Sequence, residues 1–352
     1  MFWVGWICPS GTSRRVLSMT TGGVAAEHRR LPADAPSLVE WLSALGGPVT
    51  VAMEATLYWA WLHDQLGAAG IAAVAAHPYQ VKLIWQARCK TDPIDARKLA
   101  DLLRVHLLPT VWVPDADVRA RRKLLRGRAY LVRLRTSVKN RIHGHLTAEN
   151  CRTTVTDLYG RAGRAWLATV SLSPMGRLQV DLLLELVDAL GERIGRLDDR
   201  VKRVAQEDPH ARLLQTWPGI GLFGAALLVA EIGTIHRFHS SHELAAYAGL
   251  TPSTQSSGDK TRHGSVGRAG SPWLKWILIE IVQSLKLAPG PVGAHYQKLL
   301  RSKGKAKATV AAARKLCCYL YWCLTEEWSY EEWLRQHERL EVRPVQALGS
   351  AA

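Results

Sequence analysis

Two aspartates three residues apart open the stretch Lys90-Thr91-Asp92-Pro93-Ile94-Asp95-Ala96, and Glu54 follows the apolar run Val51-Ala52-Met53. With Pro93 in a first helical turn, Thr91 or Asp92 reads as a cap, and Asp92 and Asp95 share one side of the helix start. Adjacent carboxylates repel unless a cation sits between them. Mg²⁺ takes oxygen ligands of this kind, and with Glu54 as a third carboxylate the set suits phosphodiester chemistry. The same residues also serve, with no metal, as a helix cap and a surface acid.

A second group is Pro218-Gly219-Ile220-Gly221, ahead of a helical run from Leu222 to Ile232. Gly219 and Gly221 let the backbone turn sharply and come close to a phosphate, and the N–H groups of the following helix start attract the anion. This is the form of a helix-hairpin-helix turn, although glycine pairs also simply join packed helices. The third group is Gln255-Ser256-Ser257-Gly258-Asp259-Lys260-Thr261-Arg262, with Arg268 between Gly264 and Gly270. It lies in a Ser-, Gly- and Thr-rich stretch, Thr251 to Ser271, that reads as a loop. A serine there could attack a phosphorus while Lys260, Arg262 and Arg268 neutralise its oxygens. By composition alone, a polar phosphate-binding loop fits as well.

These groups need elements to position them. Val4 to Ile7, Arg15 to Met19, Val49 to Met53 and Ile71 to Ala76 read as strands, and Ser37 to Leu45, Tyr58 to Leu66 and Pro93 to Arg104 as helices. That order predicts an α/β domain with an antiparallel start and a parallel continuation, in which ligands sit at the carboxyl ends of strands, where Glu54 falls. Between Val118 and Ala148 there are ten Lys or Arg and no Asp or Glu, on a helical apolar spacing. Arg121, Arg122 and Arg128 lie off the Leu131 to Ile142 seam and read as nucleic-acid contacts. From Leu178 to Val204, apolar residues recur in steps of four and three, which predicts a coiled-coil seam. Its partner is either the preceding helix or another subunit. After Pro209 the chain is mostly helical, and from Val282 to Thr325 it has eight Lys or Arg and no acid. Tyr319-Leu320-Tyr321-Trp322, near Trp328 and Trp333, reads as helix packing, with a stacking platform for nucleic acid as the other reading. The expected divisions are residues 1–110, 111–208, 209–340 and a tail, 341–352.

The 352 residues, 47% hydrophobic, suffice for two or three cores and exclude a disordered chain. Lys and Arg number 46 against 30 Asp and Glu, a formal charge of +16. Such a surplus points to an anionic partner, nucleic acid first. No signal-peptide pattern and no apolar stretch near membrane length is visible, so a cytoplasmic location is expected and a membrane is not. Six scattered cysteines (Cys8, Cys89, Cys151, Cys317, Cys318, Cys323) read as reduced thiols rather than a zinc site or disulfides.

In order along the chain, Met53-Glu54-Ala55-Thr56, Ala76-His77-Pro78-Tyr79-Gln80-Val81-Lys82 and Lys90 to Ala100 resemble the N-terminal domain of DEDD-type insertion-sequence transposases, relatives of the Piv DNA invertase. Trp217 to Gly221, Ala230-Glu231-Ile232-Gly233, Arg237-Phe238, Ala246 to Pro252 and Ser256-Ser257-Gly258 resemble the C-terminal half of the same family. The resemblance implies a RuvC- and RNase H-like first domain, a coiled-coil arm joining subunits, and a mostly α C-terminal domain. It also implies DNA cutting and rejoining through a serine joined covalently to DNA, a Mg²⁺ site, a structured noncoding guide RNA and a homo-oligomer. Glu54, Asp92 and Asp95 match the second, third and fourth family acids, and Ser257 matches the nucleophile. Ile7 stands where the first acid belongs, which leaves three alternatives: an impaired copy, a non-native N-terminus or a substitute group. Two rival functions follow, a metal-only nuclease of the Holliday-junction type and a nucleic-acid-binding remnant.

Overall fold

The computed structural model describes residues 1–7, 14–21, 24–32, 34–56, 59–84, 91–257, 260–266 and 270–341. The chain forms two compact units, Met1–Val113 and Pro114–Ala352.

The first unit is a five-stranded sheet in the order β3-β2-β1-β4-β5. Its strands are β1 (Phe2–Ile7), β2 (Arg14–Thr21), β3 (Val24–Pro32), β4 (Val49–Glu54) and β5 (Ala72–Ala76). β1, β2 and β3 pair antiparallel in succession, and β4 and β5 continue from β1 in parallel. An antiparallel meander extended by parallel strands with crossover helices is the RNase H-like arrangement expected from the sequence. Helices α1 (Ala35–Ser43), α2 (Trp59–Ala68), α3 (Pro78–Ile84) and α4 (Asp92–Arg104) complete the unit.

Strand alternation separates two apolar layers. Val4, Trp6, Val51 and Met53 pack with Leu38, Trp41 and Leu42 of α1 and Leu62 and Leu66 of α2. Ala52 and Ala76 pack on the other face with Val81, Leu99 and Leu102, joined by half-buried Ile7. The approach of α4 to β1 is what Gly5 permits. A Cβ at Gly5 would lie 1.7 Å from the carbonyl oxygen of Ala96 and 3.0 Å from the amide nitrogen of Ala100.

The second unit is helical apart from one hairpin. It contains α5 (Ala116–Ala148), α6 (Arg161–Thr169), α7 (Pro174–Glu207), α8 (Pro209–Leu214), α9 (Leu222–Ile232) and a 3-10 turn (Ile235–Arg237). Then follow α10 (Ser241–Tyr247), strands β6 (Pro252–Ser257) and β7 (Lys260–Val266), α11 (Pro272–Leu285), α12 (Pro291–Thr325) and α13 (Tyr330–Glu341). At ~1.5 Å per residue, α5 and α7 are each about 50 Å long. They pack along each other within the chain. Val138, Ile142 and Leu146 of α5 meet Val180, Val187 and Leu190 of α7, while Leu158 and Leu167 close that end. The heptad seam of α7 therefore faces the preceding helix. Glu149, just past α5, accepts from the amide (2.6 Å) and hydroxyl (2.8 Å) of Ser173, the N-cap of α7. These bonds hold its carboxyl below the ordinary range.

The larger core of this unit gathers α8 to α13 and the near ends of α5 and α7. Trp217 lies at its centre, with ring centroids 4.7 Å from Tyr330 and 4.9 Å from Trp333. Buried Tyr319, Tyr321 and Trp333 bear out the packing reading of the aromatic stretch, while Trp322 is half exposed. Among the described residues no helix is long and apolar enough to cross a membrane.

Candidate active site

The parallel register sets Gly5 beside Ala52 and Trp6 beside Met53, so Ile7 and Glu54 end neighbouring strands at the same level. Both belong to the face that α4 covers, because Ala52 and Ile7 share that layer. α4 begins there with Asp92 and Asp95 in its first turn, Pro93 between them and Thr91 at the N-cap. Thr91 makes no side-chain cap bond. The capping expected of the stretch is limited to the backbone, with the Asp95 amide donating to the Thr91 carbonyl at 3.0 Å.

Strand ends and helix start thus bring Glu54, Asp92 and Asp95 to one side of the sheet. They do not form a metal cage. Among the described residues no group of three or more His, Cys, Asp or Glu side chains is arranged to hold a metal ion. The Asp95 carboxylate lies instead 3.9 Å from the ammonium of Lys98, a residue only 8% exposed. Ile7 puts an aliphatic chain beside Glu54. Glu54, Asp92 and Asp95 are the residues that would hold a divalent cation, and no step below is routed through a metal.

The serine stretch differs from the loop expected over Thr251 to Ser271: it holds the antiparallel hairpin β6-β7. Ser257 ends β6 opposite Lys260, and Gln255 stands opposite Arg262. Gly258 and Asp259, between the strands, lie outside the described residues, as does Arg268. The side chains of Ser256, Ser257, Lys260 and Arg262 also lie outside what the structure describes.

Gly270 and Ser271, just before α11, pack into the core. Gly270, at φ +108°, leaves no room for a Cβ, which would meet the Tyr247 carbonyl at 2.4 Å. The Ser271 amide donates to that carbonyl at 2.7 Å. The Ser271 hydroxyl donates to fully buried Glu231 at 2.9 Å and caps α11 by accepting from Leu274. Arg126 completes the cluster with a two-pronged pair to Glu231, at 2.8 and 2.9 Å. Sequence reading missed this cluster. Its one signal was an acid, Glu231, inside an otherwise apolar helix.

The three arginines expected to contact nucleic acid, Arg121, Arg122 and Arg128, are half-buried and each already has a partner within the unit. Arg121 pairs with Asp208, the cap of α8. Arg122 donates to the carbonyls of Ala230 (2.7 Å) and Glu231 (2.8 Å). Arg128 pairs with Asp198 at 2.8 Å and lies 4.7 Å over the Phe223 ring. They hold α5 to its neighbours. Exposed Lys123, Arg133 and Arg141 and half-buried Arg135, none ion-paired among the described residues, contribute to the outward charge of α5. Gly219 and Gly221 are exposed at the turn before α9, and a Cβ at Gly219, whose φ is +76°, would come 3.3 Å from Ser284 and Leu285. The turn therefore has a packing reason for its first glycine.

Comparison with known proteins matches both units. Residues 13–150 match the IS110-type DEDD profile described as a transposase, and residues 211–297 match the transposase IS116/IS110/IS902 family. The transposase of insertion sequence element IS1111A from Coxiella burnetii is 28% identical over 278 residues, covering 74% of this chain and 73% of that one. The insertion element IS110 protein of Streptomyces coelicolor is 26% identical over 300 residues, 70% of this chain and 74% of its own. The transposase of IS1328 from Yersinia enterocolitica is 28% identical over 198 residues, 54% and 57% of the two chains. With both units matched by these profiles and an RNase H-like sheet in the first, the chain belongs to the DEDD-type insertion-sequence transposases.

Proposed function

We propose that this transposase cuts and rejoins DNA through a phosphoserine intermediate on Ser257. The observation that supports the reading is the hairpin, in which Ser257 ends one strand opposite Lys260 at the start of the other. The Ser257 Oγ attacks phosphorus, the phosphorus–oxygen bond to the leaving DNA sugar breaks, and the serine proton passes to that departing oxygen. Lys260, Arg262 and Arg268 offset the charge that develops on the phosphate. A DNA hydroxyl then attacks the ester and releases Ser257, and because ester replaces ester no ATP is needed.

Glu54, Asp92 and Asp95 belong to the same reading as the acids of the DNA-cutting unit. Exposed cations on α5 and α12 support a structured noncoding RNA as a further partner. Excision of the element from a reporter plasmid tests the proposal. Ser257→Ala should abolish it, and Asp92→Asn should lower it by about 100-fold with the melting temperature unchanged. Full excision by Ser257→Ala overturns the serine mechanism.

A second reading, a DNA-binding remnant, is favoured by Ile7 in the place of the first acid. It expects DNA binding with no excision even by the unaltered chain.

A further inference from the structure

α12 is broken at Gly304, whose φ of +74° and ψ of +167° leave the helical region. The break bends the helix around a groove also bounded by α10 and α13, with a volume of about 1040 Å³. That is at the upper end of the ~300–1,000 Å³ typical of small-ligand sites.

Its walls combine cations with aromatic rings. His295 and Lys303 come from the first arm of α12, and Arg314, Lys315, Tyr319 and Trp322 from the second. The last four recur at helical spacing, so they share one face, and Lys315 and Trp322 are about 10 Å apart along the axis at ~1.5 Å per residue. Glu326 is the one acid lining the groove among the described residues. Burial first, then Lys315, Lys298 and Lys303, hold His295 below its ordinary range. At the bend, Arg301, Lys303, Lys305 and Lys307 are all exposed, and none is ion-paired among the described residues.

The core explains Tyr319, Tyr321 and Trp333, which are buried, but not Trp322, 47% exposed at the edge of this groove. An acidic peptide would use the cations and leave the indole idle. A duplex would use them too, yet its bases are stacked on one another, so only an unpaired base can offer its face to a ring.

We propose that this groove holds an unpaired segment of a DNA strand, with a base stacked on Trp322 and phosphates on Lys303, Arg314 and Lys315. The inference rests on the transposase reading for the identity of the nucleic acid, since cutting and exchanging strands exposes unpaired bases.

The test measures binding of the full chain to a fluorescent single-stranded DNA oligomer, the matching duplex and an RNA of the same sequence. Trp322→Ala should weaken single-strand binding about 5- to 150-fold and leave duplex binding and melting temperature unchanged. Lys315→Gln should lower the salt slope for the single strand by about 0.7, which Trp322→Ala should not do. A 5-iodouracil-substituted strand should crosslink to the peptide carrying Trp322.

Unchanged single-strand affinity in Trp322→Ala, crosslinks that map elsewhere, or a loss confined to RNA would each overturn the proposal. Excision lost in Ser257→Ala alongside unchanged DNA binding in Trp322→Ala would sink the groove and leave the serine mechanism standing. Full excision by Ser257→Ala with Trp322-dependent binding would do the reverse.

Discussion

Gly5 and Ile7 show how much one residue decides. Both point toward α4, and the missing side chain of Gly5 lets the helix that carries Asp92 and Asp95 lie on β1. Two residues on, Ile7 joins the apolar layer with Ala52 and Leu99 at the place where a carboxylate was expected. Ile7→Asp should therefore lower the melting temperature in chelator, because a half-buried carboxylate replaces apolar contact. Beside Glu54 it should also give a larger Mg²⁺-dependent stabilisation than the parent shows. Calorimetry with and without MgCl₂ checks this, and equal melting in both conditions would contradict it.

Glu231 is the opposite case, a charge kept in the core by its partners. Arg126→Met leaves it unpaired, at a cost of about 3–5 kcal/mol. In a unit of this size that is a fall of roughly 6–20 °C in melting temperature. Pairing the change with Glu231→Leu should recover most of the loss. The motif around Glu231 was legible in the sequence, but its burial was not, because the arginine that pairs with it lies 105 positions earlier.

Among the elements, strands and helices with strong periodicity were legible nearly to their ends. α4 starts at the expected Asp-Pro, and β4 ends on Glu54. The hairpin was not. Ser, Thr and Gly carry no alternation of apolar and polar residues, so β6 and β7 gave no strand period to read. The α7 heptad was legible as a seam but not its partner, since spacing does not say which helix lies opposite.

α7 also keeps a second apolar line on its surface. Met175, Leu178, Leu182 and Leu186 follow one another at steps of three and four, all exposed. We propose that this stripe is a contact of the homo-oligomer that the resemblance implies. Leu182→Glu with Leu186→Lys should shift the chain toward monomer in light scattering without lowering its melting temperature. An unchanged mass would place the subunit contact elsewhere.

At the scale of the molecule, the formal charge of +16 is not spread evenly over function. The half-buried arginines of α5 spend their charge on Asp208, Asp198 and Glu231, a pairing that composition and helical spacing could not show. The remaining surface cations should give duplex binding that weakens steeply with salt. Lys123→Gln with Arg141→Gln should reduce the slope of log affinity against log salt by about 2, at ~0.9 per phosphate contact. A slope that does not change would remove α5 from the DNA surface.

The central claim is that Ser257 becomes joined to DNA. A nicked suicide substrate carrying the element end traps such an ester by letting the leaving strand diffuse away, and peptide mass mapping of the trapped species locates it. The account predicts one adduct, on Ser257, absent in Ser257→Ala and still formed in Ser256→Ala. Strand cleavage without any adduct, or an adduct on another residue, would contradict it.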